Sequence, residues 1–163
     1  LLDDRFTQSA FHPQLIPGTP MKAAVLYKPN SPLAIEEIDL EKPRQGEVLV
    51  HLSASGVCHS DWHIISGATE HPLPVVLGHE GAGFVEYVGE GVPNLQSGDH
   101  IVLSWAPHCG DCYYCLHAQP HLCQNLVAQL WDGTQLDGTS RLSKDTETIY
   151  HLSGLSTFAE KAV

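Results

Sequence analysis

Cys109, Cys112, Cys115 and Cys123 form a C-x2-C-x2-C-x7-C run. Four thiols gathered in one short loop call for a shared partner. A Cys-x2-Cys turn brings two sulfurs onto one ion without strain, and a fourth cysteine beyond a loop completes the thiolate tetrahedron that zinc takes in structural sites. No position on such an ion is open for chemistry. Disulfides fit poorly, because five cysteines leave Cys58 over and no apolar signal stretch marks the chain as secreted. An iron–sulfur cluster is the remaining alternative. Its usual bacterial spacing ends in C-x3-C followed by proline, whereas here the last gap is longer and Gln124 follows Cys123.

A chain of 163 residues with 42% hydrophobic content suits one domain with a sizeable core and is too short for two full ones. Eight Lys and Arg against 19 Asp and Glu give a formal charge of −11, which repels phosphate backbones and anionic lipid. Nucleic acid and membranes are therefore not expected partners. No apolar run approaches the roughly 20 residues that span a bilayer. The expected setting is the reducing cytoplasm.

Residues 1–20 have mixed polarity, three prolines and no clear period, and they read as an N-terminal extension or arm ahead of a domain over 21–163. From Met21 the texture changes to short strand-like runs over 22–27, 33–40, 47–52, 83–88 and 100–104. Val48, Val50 and Leu52 alternate as one face of a half-buried strand. Proline and glycine clusters supply the turns, and one short helix is expected to begin at Ser60 as N-cap and to end at Gly67. Many short strands with such punctuation predict a mainly β fold, a sandwich or partly open barrel.

A second constellation precedes the cysteine loop: Cys58-His59-Ser60-Asp61-Trp62-His63, then Gly78-His79-Glu80-Gly81. A fold that pairs these loops would present sulfur and nitrogen to one ion. With 11 histidines in the chain, that pair alone specifies little. Gly81, Gly83, Gly89 and Gly91 do not make a dinucleotide fingerprint, since β-like Phe84, Val85, Tyr87 and Val88 follow where a helix should open. Tight backbone packing is the better reading of those glycines.

The order of motifs is more specific. GVCHSDWH, LGHEGAGFVEYVGEG, SGDHIV and CGDCYYCLHAQPHLC follow one another, and in this the chain, from Met21 to Val163, resembles the zinc-dependent medium-chain alcohol dehydrogenases. The likeness is to their N-terminal catalytic domain. It implies a GroES-like, partly open β-barrel with a few short helices and a structural zinc loop. In the family a doubly wound nucleotide-binding domain follows, together with a third cysteine ligand of the catalytic zinc. Neither is expected within this chain, so alone it is expected not to turn over.

The resemblance assigns roles residue by residue. Cys58 and His79 would ligate a catalytic zinc, which lowers the pKa of an alcohol before hydride leaves for NAD(P), and Glu80 would approach the same metal. Ser60 and His63 would carry the alcohol proton towards water. Asp61 would orient the histidine ligand, and His59 would face the cofactor pyrophosphate. Trp105 and Leu152 match pocket-lining positions. The implied substrate is a small alcohol or aldehyde, with a thiol-adduct formaldehyde dehydrogenase as one branch that shares these motifs. The reading from another class is a free-standing GroES-like binding or oligomerisation module without redox activity. A homo-oligomer is expected from apolar surface that a lone catalytic domain leaves bare.

Overall fold

Residues 18–125 and 131–163 are described by the computed structural model. In chain order the elements are β1 (Thr19–Leu26), β2 (Ala34–Leu40), β3 (Val48–Ser55), α1 (His59–Ile65), β4 (Val75–Val76), β5 (Gly81–Val88) and β6 (His100–Val102). They continue with α2 (Tyr113–Leu116), a 3-10 turn (Pro120–Leu122), β7 (Leu142–Lys144), β8 (Glu147–His151) and β9 (Lys161–Ala162).

The expected β-rich barrel is present. On β1 the buried Met21, Ala23 and Val25 alternate with side chains that reach outward, so the strand lays one face on a core shared with Ile38 and Leu40 of β2. β1 pairs antiparallel with β2, β2 with β7 and β7 with β8. The two-residue β4 then runs parallel to β8 and antiparallel to β1, which closes a five-stranded ring. A second, open sheet has the order β6-β5-β3-β9. Among the described residues no helix is long and apolar enough to cross a membrane.

Several of the elements differ from the sequence reading in instructive ways. The regular alternation expected along β3 breaks, because Leu49 and Val50 are both buried. Leu49 faces Tyr87 and Val50 faces Val85, so Glu86 is the extra residue of a bulge in β5. That shift lets Leu49 join the barrel core. The helix starts one residue before Ser60, with Cys58 as its N-cap, because Asp61 at the third helical position accepts a hydrogen bond from the Cys58 N–H at 2.9 Å. Gly67, at φ +74°, ends it as expected. β1 begins at Thr19, paired with Leu40, two residues before Met21. β6 stops at Val102, short of Ser104.

The glycines of β5 do allow close backbone approach. A Cβ on Gly83 would lie 2.0 Å from the His51 carbonyl oxygen across the strand pair. Only glycine fits there.

Arg141 is an interior cation. Its guanidinium is fully buried, pairs with Glu47 and lies 2.8 Å from Asp137. Burial alone would lower its pKa, but the Glu47 and Asp137 carboxylates outweigh this and raise it. The Arg141–Glu47 pair ties the residue before β3 to the residue before β7.

Candidate functional site

The cysteine loop folds into a compact lobe. Cys112 caps α2, Cys115 sits within it, Cys123 follows the 3-10 turn, and Cys109 reaches in from the preceding loop. The sulfur of Cys115 lies 3.5 Å from that of Cys112 and 3.9 Å from that of Cys109, and Cys112 and Cys123 are 4.0 Å apart. A tetrahedron built on Zn–S bonds of about 2.3 Å has edges of about 3.8 Å. A disulfide would need about 2.05 Å. All five cysteines are free thiols, and the lobe has the dimensions of a zinc cage.

Its electrostatics agree. The Cys115 backbone amide pulls the Cys112 thiol down to about 6, while the Asp111 carboxyl pushes Cys109 up to about 12. Without a cation the cluster does not hold four thiolates together, and a dication removes that conflict.

The second site forms where two loops meet. Cys58 ends the β3–α1 connection, and His79 and Glu80 lead into β5. The ligand atoms of these three residues all lie within 4.8 Å of one another. Three features hold them there. Ile64 on α1 packs with Leu26, Val75, Leu77 and Leu152, seating the helix against the barrel. Asp61, on the same face of α1 and 1% exposed, accepts from Cys58 N–H and from Gly78 N–H, each at 2.9 Å. Gly56 leaves space for Glu80, since a Cβ there would lie 2.3 Å from the Glu80 Oε2. Oδ1 of Asp61 also stands 3.4 Å from Nδ1 of His79, which is buried and has no hydrogen-bond partner.

One thiol, one imidazole and one carboxylate make a donor set that suits zinc. They open onto a cleft of about 340 Å3 whose lining includes Ser60, His63, Thr69, Trp105, Trp131 and Leu152. Ser60 and His63 therefore share the cleft with the donor set. No hydrogen bond joins Ser60 to His63 among the described residues; the Cys58 thiol donates to the Ser60 hydroxyl at 3.6 Å. His59 is exposed and lies outside that cleft, with its ring 4.6 Å from the ring of His63.

Residues 44–154 match the alcohol dehydrogenase GroES-like domain. The chain belongs to this family. It is 46% identical over 143 residues to the class-3 alcohol dehydrogenase of Drosophila melanogaster, a match that covers 87% of this chain and 38% of that protein. Its similarity to the S-(hydroxymethyl)glutathione dehydrogenase of Synechocystis is also 46%, over 87% of this chain and 39% of the relative. Among solved structures it resembles an alcohol dehydrogenase zinc-binding domain protein from Burkholderia ambifaria, with a TM-score of 0.82 and 37% identity over 88% of this chain and 39% of the other. Benzyl alcohol dehydrogenase from Acinetobacter calcoaceticus gives a TM-score of 0.79 at 32% identity, covering 88% of this chain and 38% of its own. The chain thus spans well under half the length of these relatives, and the part it matches is their GroES-like domain.

Within that family domain, two cleft residues carry no sequence signal. Thr69 and Trp131 line the cleft but belong to none of the motifs. A lone tryptophan after a cysteine loop has no period or spacing to announce it. The contact of the Asn125 side-chain amide with the Cys109 sulfur, at 3.4 Å, is equally silent in the sequence.

Proposed function

We propose that this chain is the catalytic-domain portion of a zinc-dependent, NAD(P)-dependent alcohol dehydrogenase that converts an alcohol to an aldehyde or ketone. The observation that carries this reading is the convergence of Cys58, His79 and Glu80, with donor atoms within 4.8 Å of one another, at the edge of a cleft that also presents Ser60 and His63. A closed structural site does not need a cleft or proton-carrying side chains beside it. A second site that has both is suited to chemistry.

Cys58, His79 and Glu80 would hold a zinc ion, which would supply the Lewis acidity that lowers the pKa of a nearby alcohol. The chain's own residues do the rest of the local work. The Asp61 carboxylate stands 3.4 Å from Nδ1 of His79 without a hydrogen bond to it, a placement that favours a proton on that nitrogen and leaves Nε2 to ligate. Oxidising an alcohol removes a hydride from carbon and a proton from oxygen. A bound nicotinamide would supply the hydride acceptor, and by family resemblance a separate nucleotide domain would hold it. The proton leaves through the Ser60 hydroxyl to the exposed imidazole of His63, one helical turn on. No hydrogen bond joins Ser60 to His63 among the described residues, so a further hydroxyl bound in the cleft would have to bridge them.

The test is cobalt substitution. The difference spectrum between the cobalt-loaded chain and its Cys58→Ser variant should contain a thiolate-to-cobalt band, and ethanol should shift the cobalt d–d bands of the unsubstituted chain only. Identical spectra, or bands that ignore ethanol, would contradict the reading.

A further inference from the structure

The helix that presents Ser60 carries a second pattern on its outer side. His59 and His63 stand four residues apart on α1, in the run His59-Ser60-Asp61-Trp62-His63. Residues at that spacing are neighbours on one helix face, and two imidazoles so placed can meet a single ion. Their ring centroids are 4.6 Å apart and their planes are tilted by 55°. Both side chains are exposed, whereas Asp61 and Ile64 of the same helix are buried and hold it against the barrel. The two rings therefore stand on a fixed support with their outer edges open to solvent.

The distance between the rings points to a class of metal. A metal–nitrogen bond of about 2.0–2.1 Å puts the ring centre about 3.2 Å from the ion. Two rings on adjacent corners of a square or an octahedron are then about 4.5 Å apart, and two rings on a tetrahedron about 5.2 Å. The observed 4.6 Å matches the right angle. Tetragonal sites with nitrogen ligands suit Cu2+ and Ni2+, and water can fill the remaining positions. The positive end of the helix dipole opposes a cation beside His59. The Asp61 carboxylate in the first turn and the formal charge of −11 on the chain act against that opposition.

We propose that His59 and His63 form a chelating site for a tetragonal divalent cation of the nickel and copper class, separate from the Cys58 donor set and from the cysteine cage. The site goes beyond the dehydrogenase reading and does not depend on it. It offers two nitrogens where the cage offers four thiolates, so its ion exchanges readily and is removed by gel filtration. Once one imidazole holds the ion, the other binds as an intramolecular ligand, which raises affinity by about tenfold or more over a lone histidine.

Titration of the zinc-loaded chain with nickel tests this by calorimetry and by NMR. One nickel per chain should bind about tenfold more tightly than any further nickel, and this paramagnetic ion should broaden the imidazole signals of His59 and His63 before those of the other histidines. His59→Ala and His63→Ala should each abolish the tight step, and the double variant should lose no more than either, since a chelate needs both rings. His100→Ala, at an exposed histidine on β6, should keep it. Cys58→Ser should keep it too, which separates this site from the donor set of the dehydrogenase reading. Absence of the tight step, its survival in either single variant, its loss with His100→Ala or Cys58→Ser, or first broadening at other histidines of the unsubstituted chain would overturn the inference. A tight nickel step in a chain that lacks the Cys58-dependent cobalt band refutes the dehydrogenase reading and leaves the histidine site standing.

Discussion

Oδ1 of Asp61 lies 3.4 Å from Nδ1 of His79, and the two oxygens of the same carboxylate accept the N–H groups of Cys58 and Gly78. One buried side chain therefore positions both loops that carry the metal donors. Asparagine could accept only one of those hydrogen bonds and would turn its amide N–H towards the other. Asp61→Asn should weaken zinc at the Cys58 site by about 10- to 100-fold, as loss of an outer carboxylate does elsewhere, and cost about 1–3 kcal/mol of stability. Competition against a colorimetric chelator reads the first effect. Unchanged affinity would mean that Asp61 only braces the helix.

Cys112→Ser removes one sulfur from the closed cage and should destabilise the whole cysteine lobe, because binding of a structural zinc is coupled to folding of its ligands. The variant should lose one zinc per chain and melt at a lower temperature. A melting curve that overlays that of the unsubstituted chain would argue against the cage.

Much of this was legible in the sequence because metal sites need particular atoms at particular spacings. The cysteine run announces itself, Cys58 and His79 become candidates only through the order of the motifs, and the glycines of β5 could be read as close packing. The short elements could not be read in the same way. β4 has two residues and β9 has two, too few for any alternation to be visible. Arg141 looks like a surface cation until Glu47 and Asp137 are seen around it. The bulge at Glu86 depends on how β3 and β5 meet, which no local pattern records.

Gly83 tests the packing argument. With the His51 carbonyl oxygen 2.0 Å from the site of a new Cβ, Gly83→Ala must push β3 and β5 apart, and a cost of about 3 kcal/mol is expected. Gly98 faces open space, although its φ of +94° favours glycine. Chemical denaturation should therefore show the larger loss for Gly83→Ala, and a neutral result there would contradict the strand pairing.

His151 gives the fold a pH dependence. Burial, followed by the nearby Arg141 charge, pushes its imidazole down to about 3, and it stays neutral with Nε2 accepting the Arg141 N–H at 3.1 Å and Nδ1 3.0 Å from the Ser156 hydroxyl. The unfolded chain takes up that proton below about pH 6.5 and the folded chain does not. The contribution of His151 is thus complete above about pH 6.5 and is lost as the pH falls towards 3, with a slope of up to about 1.4 kcal/mol per pH unit. His151→Gln should flatten that slope in denaturation series between pH 4 and 6. An unchanged slope would place the titrating group elsewhere.

Zinc per chain tests the central claim most directly. After zinc loading and gel filtration, elemental analysis should find two ions in the 163-residue chain and one in Cys58→Ser, with the fold retained in both. One ion in each would mean that Cys58, His79 and Glu80 do not form a metal site, and the catalytic reading of the cleft would fall with it.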